Sequence, residues 1–161
     1  MKIKYFVALC MTMLCAVPAP LVCAGSDNID LSSRRAIYLT GKKSVIDLKN
    51  DKYVAAGGTI KVKRSDAVSC SGNKCTYGLG AIAFRNGTTT AMQTYGQFSG
   101  NTFGIVGNTI SFQNNETTKQ HILPVPLTVG TNVVTFTIDP KNKVAETNET
   151  NNSFAVTIVV E

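Results

Sequence analysis

From position 139 to 152 the chain reads D-P-K-N-K-V-A-E-T-N-E-T-N-N, set between two apolar, β-like runs. Three carboxylates (Asp139, Glu146, Glu149) and four asparagines (Asn142, Asn148, Asn151, Asn152) fall within this one segment. Hard oxygen donors at this density could hold calcium, and Asp139, Asn142, Glu146 and Glu149 are the candidate ligands. The D-x-[DN]-x-[DN]-G pattern of an EF-hand loop is missing. A second reading uses the same residues without a metal. An Asp before a proline accepts backbone N–H bonds in a turn, and Asn151 and Asn152 tolerate left-handed angles while bonding to the entering strand. With Asn148 they would then form a side-chain-capped corner. Both readings stand at this point, and apart from calcium no cofactor is expected.

Catalytic chemistry finds little to work with, and no catalytic residue is expected. The chain has one histidine, His121, inside an apolar run beside Pro124 and Pro126. A nucleophilic triad would need it next to a Ser or Cys and an orienting carboxylate, and no G-x-S-x-G elbow is present. Glu146 and Glu149 resemble a glycosidase pair only in number, because a small sandwich seldom builds the required cleft. No tryptophan exists to stack a sugar, although Tyr38, Tyr53, Tyr77 and Tyr95 could substitute in part. Cys70 and Cys75 enclose Ser-Gly-Asn-Lys, and such a close pair in an oxidising compartment reads as a disulfide stapling a hairpin tip. A redox pair or half a zinc site fits less well, since the spacing is C-x4-C and no second pair follows.

The N-terminus sets the compartment. Lys2 and Lys4 precede an apolar run over 6–17, and Val22-Cys23-Ala24 places small residues before Gly25. That is a secretory signal peptide over 1–24, too short for a permanent span, with a bacterial look. Val22 stands where a lipoprotein signal wants Gly, Ala or Ser, so lipidation of Cys23 is not expected. The protein is therefore expected to be secreted or periplasmic, and not integral to a membrane. Losing Lys2 and Lys4 takes two from the formal charge of +6. Among the remaining basic residues, Arg34, Arg35, Lys42 and Lys43, with Lys61, Lys63 and Arg64, form a possible patch for anionic partners. Nucleic acid is not an expected partner, because aromatic interleaving is lacking and exported proteins seldom meet it.

The elements that must position these residues are strands. Runs of Val, Ile, Thr, Tyr and Phe alternate with Gly, Asn and Lys. Candidate strands cover 36–40, 44–48, 58–63, 76–85, 89–98, 102–113, 120–127, 133–138 and 154–160. Pro124 and Pro126 assign the segment 120–127 to an edge or a kinked entry. Asn86-Gly87 is a strong turn signal. Phe154, Val156, Ile158 and Val160 give the last strand one buried face. About seven to nine strands without crossover helices predict an all-β fold, an immunoglobulin- or fibronectin-III-like antiparallel sandwich. Residues 25–50 would add an N-terminal strand pair or an arm, and 51–161 would form the sandwich proper.

The run 133–138, then Asp139, Asn142, Glu146, Glu149, Asn151 and Asn152, then a final apolar strand, resembles the C-terminal signature of the CARDB family. These are cell-adhesion-related domains found in bacteria. Leu127-x-x-Gly130-x-Asn132 fits the family's approach to that strand, and 77–87 resembles its central strand ending in Asn-Gly. The similarity is specific over 120–160 and looser from about 55. The Cys70–Cys75 loop and residues 25–50 depart from it. The resemblance implies an immunoglobulin-like sandwich and a non-catalytic module for adhesion or spacing. In a chain standing alone, binding of a protein or surface glycan is the expected role. The alternative is a structural subunit of a surface assembly or pilus that uses an N-terminal strand for assembly.

Overall fold

The computed structural model describes residues 28–42, 44–45 and 53–161. The expected signal peptide and Lys43 lie outside the described residues. Eleven β-segments are present among the described residues: β1 (Asp30–Gly41), β2 (Ser44–Val45), β3 (Val54–Ala55), β4 (Thr59–Val62), β5 (Ser69–Ser71), β6 (Lys74–Asn86), β7 (Met92–Gly100), β8 (Val106–Phe112), β9 (Thr118–Thr128), β10 (Gly130–Ile138) and β11 (Ser153–Val160). Eight of them have four or more residues, within the expected range. Among the described residues two short 3-10 turns, Arg64–Asp66 and Glu149–Asn151, interrupt the strands. Among the described residues no helix is long and apolar enough to cross a membrane.

Two sheets pack face to face as an immunoglobulin-like sandwich. In the first, β6 lies between β1 and β9, with β5 beside its start and β2 and β3 on the outer side of β1. The second has the order β4-β11-β10-β7-β8, antiparallel except where β4 runs parallel to β11. Strand parity builds the core, because alternate side chains face opposite sides of a sheet. Phe154, Val156, Ile158 and Val160 are buried, as their spacing predicts, and share one core with Leu39, Leu79, Val125 and Leu127 from the other sheet. β9 pairs only with β6, so the two prolines do sit on an edge strand, where missing N–H groups cost no ladder bonds.

The segment 25–50 contributes more than an appendage. β1 pairs with β6 from Asp30↔Asn86 to Thr40↔Gly78, and Leu31, Ile37 and Leu39 are fully buried. The register jumps between Ser33 and Ile37, and Arg35 has φ 54. This bulge turns Arg34 and Arg35 out of the ladder, as bulges do when they re-aim side chains. The Arg34 guanidinium then lies 4.4 Å from the centre of the Tyr53 ring. Behind the bulge Tyr38 lies over Gly80, where an added Cβ would stand 2.0 Å from the ring. That contact requires glycine.

Candidate functional site

Most of the predicted site residues gather at one end of the sandwich. Asp139 ends β10 with φ 47, and its N–H donates to the Tyr95 carbonyl at 2.8 Å. Its own carbonyl accepts the Asn142 N–H at 3.0 Å across Pro140, and its Oδ2 accepts the Val144 N–H at 2.7 Å. Asn142 has φ 45. The turn thus places Asp and Asn at left-handed positions that both tolerate, and it spends the Asp carboxylate on the backbone.

The second half of the segment is a clasp on β1. Glu146 Oε2 accepts the Leu31 N–H at 2.6 Å, and its Oε1 accepts Asn152 Nδ2 at 3.0 Å. Thr147 donates its N–H to the Ile29 carbonyl at 2.8 Å, and Asn151 Nδ2 donates to Asp30 Oδ1 at 2.9 Å. Glu149 accepts the Glu146 N–H at 3.3 Å and Asn152 Nδ2 at 3.3 Å, while Asn148 caps the 3-10 turn by accepting the Thr150 N–H. Burial raises the Glu146 carboxyl to about 6; the Leu31 and Asn152 donors oppose that shift, and the neighbouring Glu149 and Asp139 charges add to it. Asp139, Glu146 and Glu149 therefore give oxygens to protein N–H groups. Among the described residues no group of three or more His, Cys, Asp or Glu is placed to hold a metal ion.

The other predicted residues lie apart from this corner. Arg34 and Arg35 sit at the bulge, whereas Lys42 lies past the far end of β1, roughly 20 Å along the strand at the usual rise. Lys61 pairs with Glu161, and Arg64 Nη2 donates to the Gly72 carbonyl at 2.7 Å. Cys70 and Cys75 form a disulfide across the β5–β6 hairpin, with a Cα–Cα distance of 4.1 Å. Gly72 has φ 58 at the first central position of that two-residue turn, the angle a type II′ hairpin requires there. His121 is buried between the sheets, 6.2 Å from Phe98 and 5.9 Å from Phe136, with Nε2 at 3.2 Å from the Gly96 carbonyl. Burial lowers its pKa, and the ring packs among the core aromatics.

The outer face of β7 and β8 carries a groove that motif reading alone does not single out. Thr94, Gly96 and Phe98 face the core, so Gln93, Tyr95 and Gln97 face outward. With Ile105, Thr109, Lys141 and Lys143 they line a cavity of about 450 Å³ beside the Asp139 turn. Tyr95 rests on Gly107, where a Cβ would stand 2.7 Å from the ring. Tyr95 is 39% and Ile105 69% exposed, and neither lysine joins an ion pair among the described residues. The sequence signal that would find the groove is the period-2 parity of 93–98 together with the lysines of the D-P-K-N-K turn.

Comparison with known proteins bears on this end of the fold directly. The CARDB family model matches residues 85–156, which run from the end of β6 through the corner into β11. No curated protein matches the chain. Among solved structures, the chain is similar to the solution structure of the CARDB domain of PF1109 from Pyrococcus furiosus. That likeness has 19% identity and a TM-score of 0.48, covering 83% of this chain and 97% of that one. A crystal structure of the same domain, in complex with di-metal ions, gives 18% identity and a TM-score of 0.46, covering 83% and 90%. The N-terminal domain of PorA gives 10% identity and a TM-score of 0.29, covering 78% and 97%. The segment 85–156, whose corner carries the Asp139, Glu146, Glu149 and Asn152 network, thus matches the CARDB family, in agreement with the resemblance of its C-terminal motif.

Proposed function

We propose that the protein is a secreted or periplasmic, non-catalytic binding module that contacts a protein or surface glycan through the groove on β7 and β8. The observation that carries this reading is the exposed Tyr95, seated on Gly107 in a groove it shares with Ile105, Lys141 and Lys143, lysines that join no ion pair among the described residues. A rigid aromatic ring beside adaptable polar groups and cations suits recognition, because it offers contact area at low entropic cost. The family's non-catalytic character and the packing of His121 inside the core support the same reading. The corner supports it mechanically, by fixing the lysine-bearing turn against β7 through the Asp139 N–H. Calcium at Asp139, Asn142, Glu146 and Glu149 is not needed for this role, since Asp139, Glu146 and Glu149 already have protein partners.

The test is retention of envelope proteins and glycans on immobilised protein. Tyr95→Ala and the double change Lys141→Glu with Lys143→Glu should each abolish whatever the unaltered protein retains. Lys61→Glu, far from the groove, should not. Equal retention by all variants would sink the reading.

A further inference from the structure

Arg85 is the largest of the fully buried side chains, and it carries a charge. Nη1 donates to the Thr90 carbonyl, Nη2 donates to the Gln113 carbonyl at 3.2 Å, and the Phe112 ring centre lies 5.4 Å from Cζ. Among the described residues the Nε–H has no acceptor. The ion pairs among the described residues are Lys61–Glu161 and Lys119–Glu116, so no carboxylate is paired with this guanidinium. Glu116 is held below the usual carboxylate range chiefly by the Gln113 N–H and Lys119, with Arg85 the smallest influence. Carbonyl dipoles and a ring face offset only part of the cost of burying a cation.

A cavity of about 420 Å³ opens against this side chain, lined by Asn86, Gly87, Thr88, Thr89, Thr90 and Thr117. No acidic residue lines it. Four of its lining residues are threonines, whose hydroxyls can donate. Thr88 Oγ1 already accepts the Thr90 N–H at 3.3 Å, which leaves the hydroxyl hydrogen free to point elsewhere. The loop is tied from outside the cavity: the Asn115 N–H donates to the Thr89 carbonyl and the Ala91 N–H to Asn114 Oδ1. The guanidinium itself is closed to solvent. Arg85 nonetheless lines the cavity, so its field reaches it with little screening by salt and water.

We propose that the cavity between the Asn86–Thr90 loop and Thr117 binds an oxyanion, a carboxylate or phosphate held by threonine hydroxyls over the buried Arg85. The same chemistry is offered by a free ion and by the charged group of a larger molecule. This site is separate from the β7–β8 groove and stands or falls independently of it.

The experiment is an amide NMR titration of the full chain with inorganic phosphate, acetate and glucuronate at constant ionic strength. Saturable shifts confined to 86–90 and 117 are expected. Tighter binding of glucuronate than acetate would assign the anion to a larger molecule, and equal affinity would assign it to a free ion. Thr117→Val and Thr88→Val, both outside the core, should each weaken binding by roughly tenfold, the effect of losing one donor to a charged group. Lys141→Glu, in the groove, should leave the titration unchanged. Shifts that follow ionic strength without saturating, or that survive both threonine changes undiminished, would overturn the proposal.

Discussion

The two ends of the sandwich are closed by different chemistry. At one end Asn132, fully buried, does the closing with one neutral amide. Its Nδ2 donates to the carbonyls of Thr128, Gly130 and Ile158, and its Oδ1 accepts the Thr128 N–H and the Thr102 hydroxyl. The Cys70–Cys75 hairpin stands beside it, joined through the Val129 N–H to the Asn73 carbonyl. At the other end a group of carboxylates and amides clasps the start of β1, and the groove and the Arg85 cavity both open there. The lesson is that both polar atoms of the Asn132 amide have partners within the protein. The carboxylate end leaves Asn151 Oδ1, Asn152 Oδ1 and Arg85 Nε without partners among the described residues. One end is built for stability, and the other keeps polar capacity in hand.

Several measurements can break that contrast. Asn132→Ala should have the largest effect, about 3 kcal/mol or more in denaturant unfolding, because several buried backbone groups lose their partner at once. A loss below about 1 kcal/mol would mean that the amide end is not the stronger closure. Glu146→Ala should cost less, about 2 kcal/mol, by stranding the Leu31 N–H and Asn152 Nδ2. Hydrogen exchange should then quicken first at residues 29–31. Reduction of Cys70–Cys75 should cost about 2 kcal/mol at most, since the bridge closes a very short loop. Unfolding with and without reductant measures it.

The smallest expected effect is on pH dependence. Because the Glu146 carboxyl is raised to about 6, its contribution to stability is full below its unfolded value near 4.5 and is lost as pH rises through about 6. The side chain is partly exposed and screened, so the change should stay below about 1 kcal/mol. A difference curve between the unaltered protein and Glu146→Gln, taken from pH 4 to 7, should slope in that sense. A flat curve would place the carboxylate end on the same neutral footing as Asn132.

Much of this was legible in the sequence, for reasons that can be named. Phe154 to Val160 gave away its buried face by strict alternation, and Pro124 with Pro126 marked β9 as an edge. The dense polar segment 139–152 was readable as a corner because Asp and Asn suit left-handed backbone. Its grip on residues 29–31 was not readable, since Leu31 and Glu146 are 115 residues apart and nothing local links them. β3 and β5 are too short to leave a periodic signal. The β1 bulge hides in a stretch of serine and arginine that reads as a loop. Arg85 is different, because the signal existed. Cys75, Tyr77, Leu79, Ala81 and Ala83 are buried on one parity, and Arg85 continues it. Its type suggests solvent, but its position in the alternation places it inside.

The bond from Leu31 to Glu146 also constrains the order of folding. A chain emerging from its N-terminus can pair β1 with β6 and β9 early, yet the start of β1 finds its anchor only after residue 146 has appeared. Likewise β4 waits for β11, nearly a hundred residues later in the chain. Contacts of such sequence separation slow the search for the native state, because loop closure precedes their reward. Until the last strand docks, β10 presents an open edge and β4 lacks its partner strand, so the interval before completion is when this protein is most exposed to mispairing.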